Sequence, residues 1–276
     1  MSEKRKCYFL ILILLILGAA SFIHKEFGYQ IYSQESAQVK IADRIITLDE
    51  IEEKGFTCTG AVFDPASKSF YVGDAGKKMP LDEKFRAGIR QLSLDLNEQI
   101  RFFECYKQFE SMRDIQGVAI DSTSNIWFCS YGENLVRCMD QNGNPINCHR
   151  VKNPSGIAYS SSDDTFWVLT NRYLIHFSRE FNEICKFSFK VAGQDQLFYD
   201  EEQKIIYITA GNNYHGESYV YSFDVTNELF ILEYILQYSF AIEGITIING
   251  SMYVFNDGLY HDAEIPVNQV NIYSLQ

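Results

Sequence analysis

Proline is scarce, five residues in 276, while tyrosine and phenylalanine together make 39. A chain poor in the residue that interrupts strands and rich in those that fit a pleated, half-buried surface points to an all-β body. Positive charge is also short: 24 Lys and Arg stand against 36 Asp and Glu, a formal charge of −12. Residues 1–25 hold four basic side chains and one acidic one, which leaves −15 on the remainder. A body that negative repels phosphate backbones, so nucleic acid is not an expected partner. Several catalytic signatures are missing too. The five histidines form no His-Glu-x-x-His pattern, there is no Gly-x-Ser-x-Gly elbow or phosphate-binding glycine loop, and no Cys-x-x-Cys spacing supports zinc. With 46% hydrophobic residues the chain can nevertheless build a sizeable core, which excludes disorder.

One uncharged apolar run, residues 8–23, follows Lys4-Arg5-Lys6. Sixteen helical residues rise about 24 Å, short of the roughly 30 Å hydrocarbon core, a gap that snorkelling flanks and local thinning close. Residues 1–25 therefore read as a signal anchor, or as a signal peptide cut near Gly18-Ala19-Ala20. Basic residues ahead of the run keep the N-terminus cytoplasmic, so the rest is expected outside the cytoplasm, membrane-anchored or, after cleavage, secreted. Residues 26–42 read as a polar connector.

Over residues 43–276 one short pattern recurs five times. Its first half is a strand opening at or beside Gly60, Gly117, Gly156, Gln196 or Gly244; nine to eleven residues later stands an aromatic, Tyr71, Trp127, Trp167, Tyr207 or Tyr253. An alternating third strand follows (89–94, 135–139, 173–177, 219–223, 270–275), and four copies add a fourth (100–109, 147–151, 184–189, 229–236). The fifth copy ends at Gln276 without one, and residues 44–48, which have no partner of their own, can supply it. Roughly 47 residues per copy with four antiparallel strands each describe a five-bladed β-propeller closed by an N-terminal strand. A sixth blade inside the long first copy is the alternative count. Trp127 and Trp167, on second strands, read as core between blades rather than as a carbohydrate platform.

The repeats Gln116-Gly117-Val118-Ala119-Ile120-Asp121 and Ser155-Gly156-Ile157-Ala158-Tyr159, with their following Trp strands, resemble those of NHL and gluconolactonase-type propellers. Glu243-Gly244-Ile245 is similar to the opening of the signal-anchored bacterial SdiA-regulated proteins. The resemblance covers residues 43–276 but identifies the blade, not a substrate; its members include metal-dependent lactonases and pure interaction scaffolds.

In four-stranded antiparallel blades the connection into strand one and the loop between strands two and three emerge on one face. Thr59, Gln116, Ser155, Asp195 and Glu243 should ring the central channel there. Around them should stand the loops bearing Asp74, Asn171, Asn212, Tyr214, His215, Asp257, Tyr260 and His261, the expected ligand contacts, with Tyr131 beside them. Asp195, Glu243 and Asn256 offer oxygen donors suited to Ca²⁺ or another divalent cation, though no complete ligand set can be identified. The resemblance implies that Glu243 matches the metal-binding Glu of the lactonases, with Asn171 and Asn256 in place of their amides. Two functions follow as expectations. One is binding of a small molecule or a protein partner through the acidic, loop-rich face. The other is metal-dependent hydrolysis of a lactone or ester. His176 lies within a strand and reads as a facing residue. Residues 140–144 read as a turn, since Gly143 falls too early for a calcium loop.

Six cysteines lie beyond the apolar run, Cys58, Cys105, Cys129, Cys138, Cys148 and Cys185. An even count permits disulfides outside the cytoplasm; packing as free, small apolar residues is the equal alternative. Asn249-Gly250-Ser251 is a glycosylation acceptor in a eukaryotic source.

Overall fold

The computed structural model describes residues 32, 36–48, 57–76, 86–110, 112, 114–212 and 214–275. The expected targeting segment, including its apolar run at 8–23, lies outside the described residues. Among the described residues no helix is long and apolar enough to cross a membrane.

Five sheets are present. Blade one comprises β3 (Cys58–Asp64), β4 (Ser69–Asp74), β5 (Gly88–Ser93) and β6 (Gln99–Phe103). Blade two is β7 (Val118–Ile120), β8 (Ile126–Ser130), β9 (Leu135–Met139) and β10 (Pro145–Arg150), and blade three is β11 (Pro154–Ser160), β12 (Thr165–Thr170), β13 (Tyr173–Phe177) and β14 (Glu183–Ser188). In blade four, β15 (Gln194–Asp200), β16 (Ile205–Gly211), β17 (Glu217–Asp224) and β18 (Leu229–Gln237) are joined by β1 (Gln38–Ile41), parallel to β18. Blade five is β19 (Ile242–Ile248), β20 (Ser251–Asp257) and β21 (Asn268–Ser274), completed by β2 (Arg44–Thr47), antiparallel to β21 with Arg44 opposite Ile272 and Thr47 opposite Gln269. The protein is an all-β, five-bladed propeller, and the described residues form no sixth blade.

Two details depart from expectation. Residues 38–41, placed in the connector, form β1, so the N-terminal ribbon binds the outer edges of two successive blades. The fourth strand of blade one stops at Phe103, and the apolar run continues as a short helical turn, α1 (Cys105–Gln108). Cys105 and Phe109 are buried while Lys107, which a strand would place on the same face, is exposed, a pattern that suits a helical turn and not a strand.

Period-two alternation explains why the second strands are apolar throughout. Tyr71, Trp127, Trp167 and Tyr207 each pack toward the following blade, while Ile126, Phe166, Ile206 and Met252, each just before the aromatic of its own second strand, pack toward the blade before. Phe70, Val72, Leu92, Phe255, Val270 and Leu48 form the fifth inter-blade core, which seals the last blade to the first. Trp127 and Trp167 are almost fully buried, and His176 stacks flat on Trp167 with ring centres 4.1 Å apart, a structural role.

Around the axis the inner strands touch through their glycines. A Cβ on Gly117 would stand 2.7 Å from the Gly156 Cα, and one on Gly60 equally close to the Gly117 Cα. The Gly117 N–H donates to the Ser155 carbonyl (2.6 Å) and the Gly60 N–H to that of Gln116 (3.2 Å). Where blade four has Gln196 instead of glycine, its side chain fills the axis: Nε2 donates to the Ser155 carbonyl (2.9 Å), and Oε1 lies 2.6 Å from where a Gly60 Cβ would be.

On the opposite face, side-chain clasps tie successive blades. Arg179, in the β13–β14 turn, donates to Asp121 of blade two (2.7 Å) and lies over the rings of Trp127, Phe166 and Tyr159. The Asp121 carboxylate also accepts from Thr123, Asn125 and the Trp127 indole N–H. Burial opposes its ionisation, but these donors and Arg179 win and bring it down to about 2.

All six cysteines beyond the apolar run are free thiols. Cys58, Cys105, Cys129 and Cys138 are buried and pack as apolar residues; Cys148 is exposed and Cys185 half-buried, and the bridge considered within blade two does not form.

Candidate functional site

Four of the five inner strands carry a register shift at their opening: Cys58/Ala61, Pro154/Gly156, Gln194/Leu197 and Ile242/Gly244. Bulges of this kind turn a side chain out of the alternating pattern. They fall on or beside Thr59, Ser155, Asp195 and Glu243, the residues expected at the channel mouth.

A cavity of about 160 Å³ opens at that mouth. Blade one contributes Thr57 and Thr59, blade two Gln116, blade four Asp195, and blade five Glu243, Asp257, Tyr260 and His261. It has room for a ligand's head group rather than for a whole drug-sized molecule, which occupies about 300 Å³ or more. The other end of the axis is apolar, lined by Val62, Val118, Ile120, Tyr159, Phe198 and Tyr199.

Asp195 and Glu243 face the same cavity across the blade four and five boundary, where each carboxyl opposes the ionisation of the other. Burial first, then the charge of Glu243, raises Asp195 well above the usual carboxylate range. Gln196 Nε2 donates to Asp195 Oδ1 (3.2 Å), and His261 Nε2 lies 3.2 Å from Glu243 Oε1. His261 reaches in from the long β20–β21 loop, which is also fastened to blade four by the Glu264 N–H on the Tyr214 carbonyl (3.1 Å). Two buried carboxyls that oppose each other's ionisation beside an imidazole can hold a proton or a cation, so the site suits recognition of polar or positively charged groups and acid–base chemistry alike.

The structure thus brings together Gln116, Asp195, Glu243, Asp257, Tyr260 and His261. The Asp257 N–H donates to the Ala241 carbonyl, and Asp257 Oδ1 accepts from the Tyr260 N–H. Other expected residues lie elsewhere. Asp74 is buried against Arg90, with Nη2 at 2.6 Å and Nε at 2.9 Å from Oδ2, and its Oδ1 accepts from the Thr57 and Gly76 N–H groups. Asn256 is buried, its Oδ1 accepting from Ser239 Oγ (2.6 Å) and its Nδ2 donating to the Val254 and Gln269 carbonyls, which spends its amide away from the cavity. Asn171 is exposed on its turn; Asn212 caps the N–H groups of Tyr214 and His215, both exposed beside the mouth. Among the described residues no three His, Cys, Asp or Glu side chains are grouped as a metal ion requires.

Thr57 and Arg90 escaped the sequence reading. Arg90 carried a legible signal, a cation at an inward-facing position of a third strand, directly across from Val72 and two pairs from the strand end where Asp74 stands.

Fold and site together define a five-bladed β-propeller with two carboxyls and a histidine facing one cavity at its polar mouth. No protein-family model and no curated protein matches the chain. Solved structures similar to it include virginiamycin B lyase from Staphylococcus aureus (14% identity, TM-score 0.47, covering 79% of this chain and 66% of that one). The RRP9 WD40 repeats (13%, 0.48, 87% and 66%) and Kuenenia stuttgartiensis hydrazine synthase (10%, 0.49, 72% and 55%) are similar too. The chain spans between 55% and 66% of the length of these structures, and each is a likeness of fold alone.

Proposed function

We propose that the protein is a recognition module whose propeller, held outside the cytoplasm by residues 8–23, binds a small polar ligand or a protein partner through its acidic mouth. The repeat motifs favour the NHL-like group, and Glu243-Gly244-Ile245 its SdiA-regulated branch. The observation that carries the reading is the Asp195–Glu243 pair with His261 upon it: buried, at the channel axis, and opening into a cavity of head-group size. Such a mouth prefers a group that donates hydrogen bonds or carries positive charge. Calorimetric titration with ethylammonium as a minimal probe tests it. Saturable binding that Glu243→Gln abolishes supports the reading; equal heats for both proteins overturn it. Fractionation of cells with and without residues 1–25 tests the anchor.

A second reading, metal-dependent lactone or ester hydrolysis, rests on the same pair, because a divalent cation such as Ca²⁺ would offset the repulsion between the two carboxyls. It ranks second because among the described residues no three His, Cys, Asp or Glu side chains are grouped as a metal ion requires. Calcium-dependent lactone hydrolysis lost in Glu243→Gln would move it to first place.

A further inference from the structure

Asn-Gly is the dipeptide most open to ring closure, because a glycine lacks the Cβ that otherwise keeps its backbone nitrogen from the neighbouring side-chain amide. The chain holds two, Asn142-Gly143 and Asn249-Gly250. Their surroundings differ. In the β9–β10 turn the Gly143 N–H is committed to the Asp140 carbonyl (3.0 Å). The Asn142 N–H donates to Asp140 Oδ1 (2.8 Å), and its carbonyl accepts from Arg101 Nη2 (3.2 Å). The nucleophile is committed to another partner, and the main chain on both sides of the Asn142 side chain is pinned, which holds the turn against the rearrangement that ring closure needs.

Asn249 and Gly250 instead form the two-residue turn of the β19–β20 hairpin, closed by the Ile248–Ser251 pair, with φ of 50° and 74°. Both are exposed, and no heavy atom lies within 4 Å of where a Gly250 Cβ would stand. Among the described residues the Gly250 N–H and the Asn249 amide make no hydrogen bond.

We propose that Asn249 is a site of spontaneous deamidation and isoaspartate formation, and that Asn142 is protected from it. The Gly250 nitrogen, on losing its proton, attacks Asn249 Cγ. The new C–N bond closes a five-membered succinimide, the C–NH₂ bond breaks, and the amide leaves as ammonia with the proton. Water then opens the ring at either carbonyl, giving aspartate or isoaspartate and one added negative charge; no oxidant or reductant is involved. Isoaspartate lengthens the main chain by one carbon within a turn that has only two residues to set its register. Gly250 also accepts from the Leu275 N–H (2.9 Å), so the change falls where the end of the chain is fastened to the ring-closing blade.

The test is peptide mapping by mass spectrometry of the full chain aged at mildly alkaline pH, with isoaspartate read by enzymatic methyl labelling. Product should accumulate several-fold faster at 249 than at 142 in the folded protein, and at similar rates in denaturant. Gly250→Ala should suppress the reaction at 249, and Asn142→Gln should leave it unchanged. Equal rates in the folded state, a faster reaction at 142, or an unmodified Asn249 would each overturn the proposal.

Discussion

Glu243 has a neighbour on two sides, the Asp195 carboxyl of the adjacent blade at the same cavity and the His261 imidazole of its own blade's long loop, 3.2 Å from its Oε1. The mouth of the propeller therefore sets two buried acids against each other, which burial and their mutual repulsion make costly to ionise together.

Stability should follow the Asp195 proton. Asp195 keeps it in the folded protein at pH values where the unfolded chain has lost it, so the folded state binds more protons and stability falls as pH rises above the ordinary carboxylate range. The slope is at most about 1.4 kcal/mol per pH unit for one group. Melting temperatures across the neutral range should show the decline, and Glu243→Gln should make it shallower by removing the facing charge.

The opposite face should respond in the opposite sense. Asp121 sits at about 2 in the folded protein, so its contribution is complete above the unfolded value near 3.8 and disappears as pH falls toward 2. Asp121→Asn should cost roughly 3 kcal/mol at neutral pH by leaving the Arg179 clasp without its carboxylate, and should flatten acid unfolding in that window. Denaturant titration at neutral pH and near pH 3 separates the two effects.

Substitution at the axis should be severe. Gly117→Ala drives a methyl to 2.7 Å from the Gly156 Cα, where both neighbours are main chain and neither can yield cheaply. A loss of about 3 kcal/mol or failure to fold is expected, read by denaturant unfolding. Gly250→Ala, in open space, should cost only about 1 kcal/mol for its positive φ.

Ring closure should depend on a few N-terminal residues. Leu48 is buried in the core between the last blade and the first, and Leu48→Ala should cost about 3 kcal/mol. Removing residues 1–48 should prevent folding, whereas removing 1–31 should not, as circular dichroism of the two truncations will show.

The blade pattern was legible because both faces of every inner sheet are buried: Gly60, Gly117, Gly156 and Gly244 mark main-chain contact, and the aromatics Tyr71 to Tyr253 mark the space between blades. The closing strand at 44–47 was legible as the partner that blade five lacked, and the meeting of Asp195 with Glu243 followed from topology alone. Side-chain direction was not. Asp74 and Asp257 end equivalent strands, yet the first is turned into Arg90 and the second toward the cavity, a difference decided by a residue on the adjacent strand. Asn256 likewise reads as a donor to the channel until Ser239 is seen to take its amide. β1 left no signal because an exposed strand on an outer edge needs no apolar alternation.

The ribbon made of β1 and β2 is the earliest part of the propeller to be synthesised, yet its docking sites on β18 and β21 are among the last. Until the ribosome has released nearly the whole chain, the first blade has no neighbour on one side and the ribbon has nowhere to lie. Assembly is therefore a single late event, and any chain truncated before β21 would present its unsealed flank to chaperones and proteases.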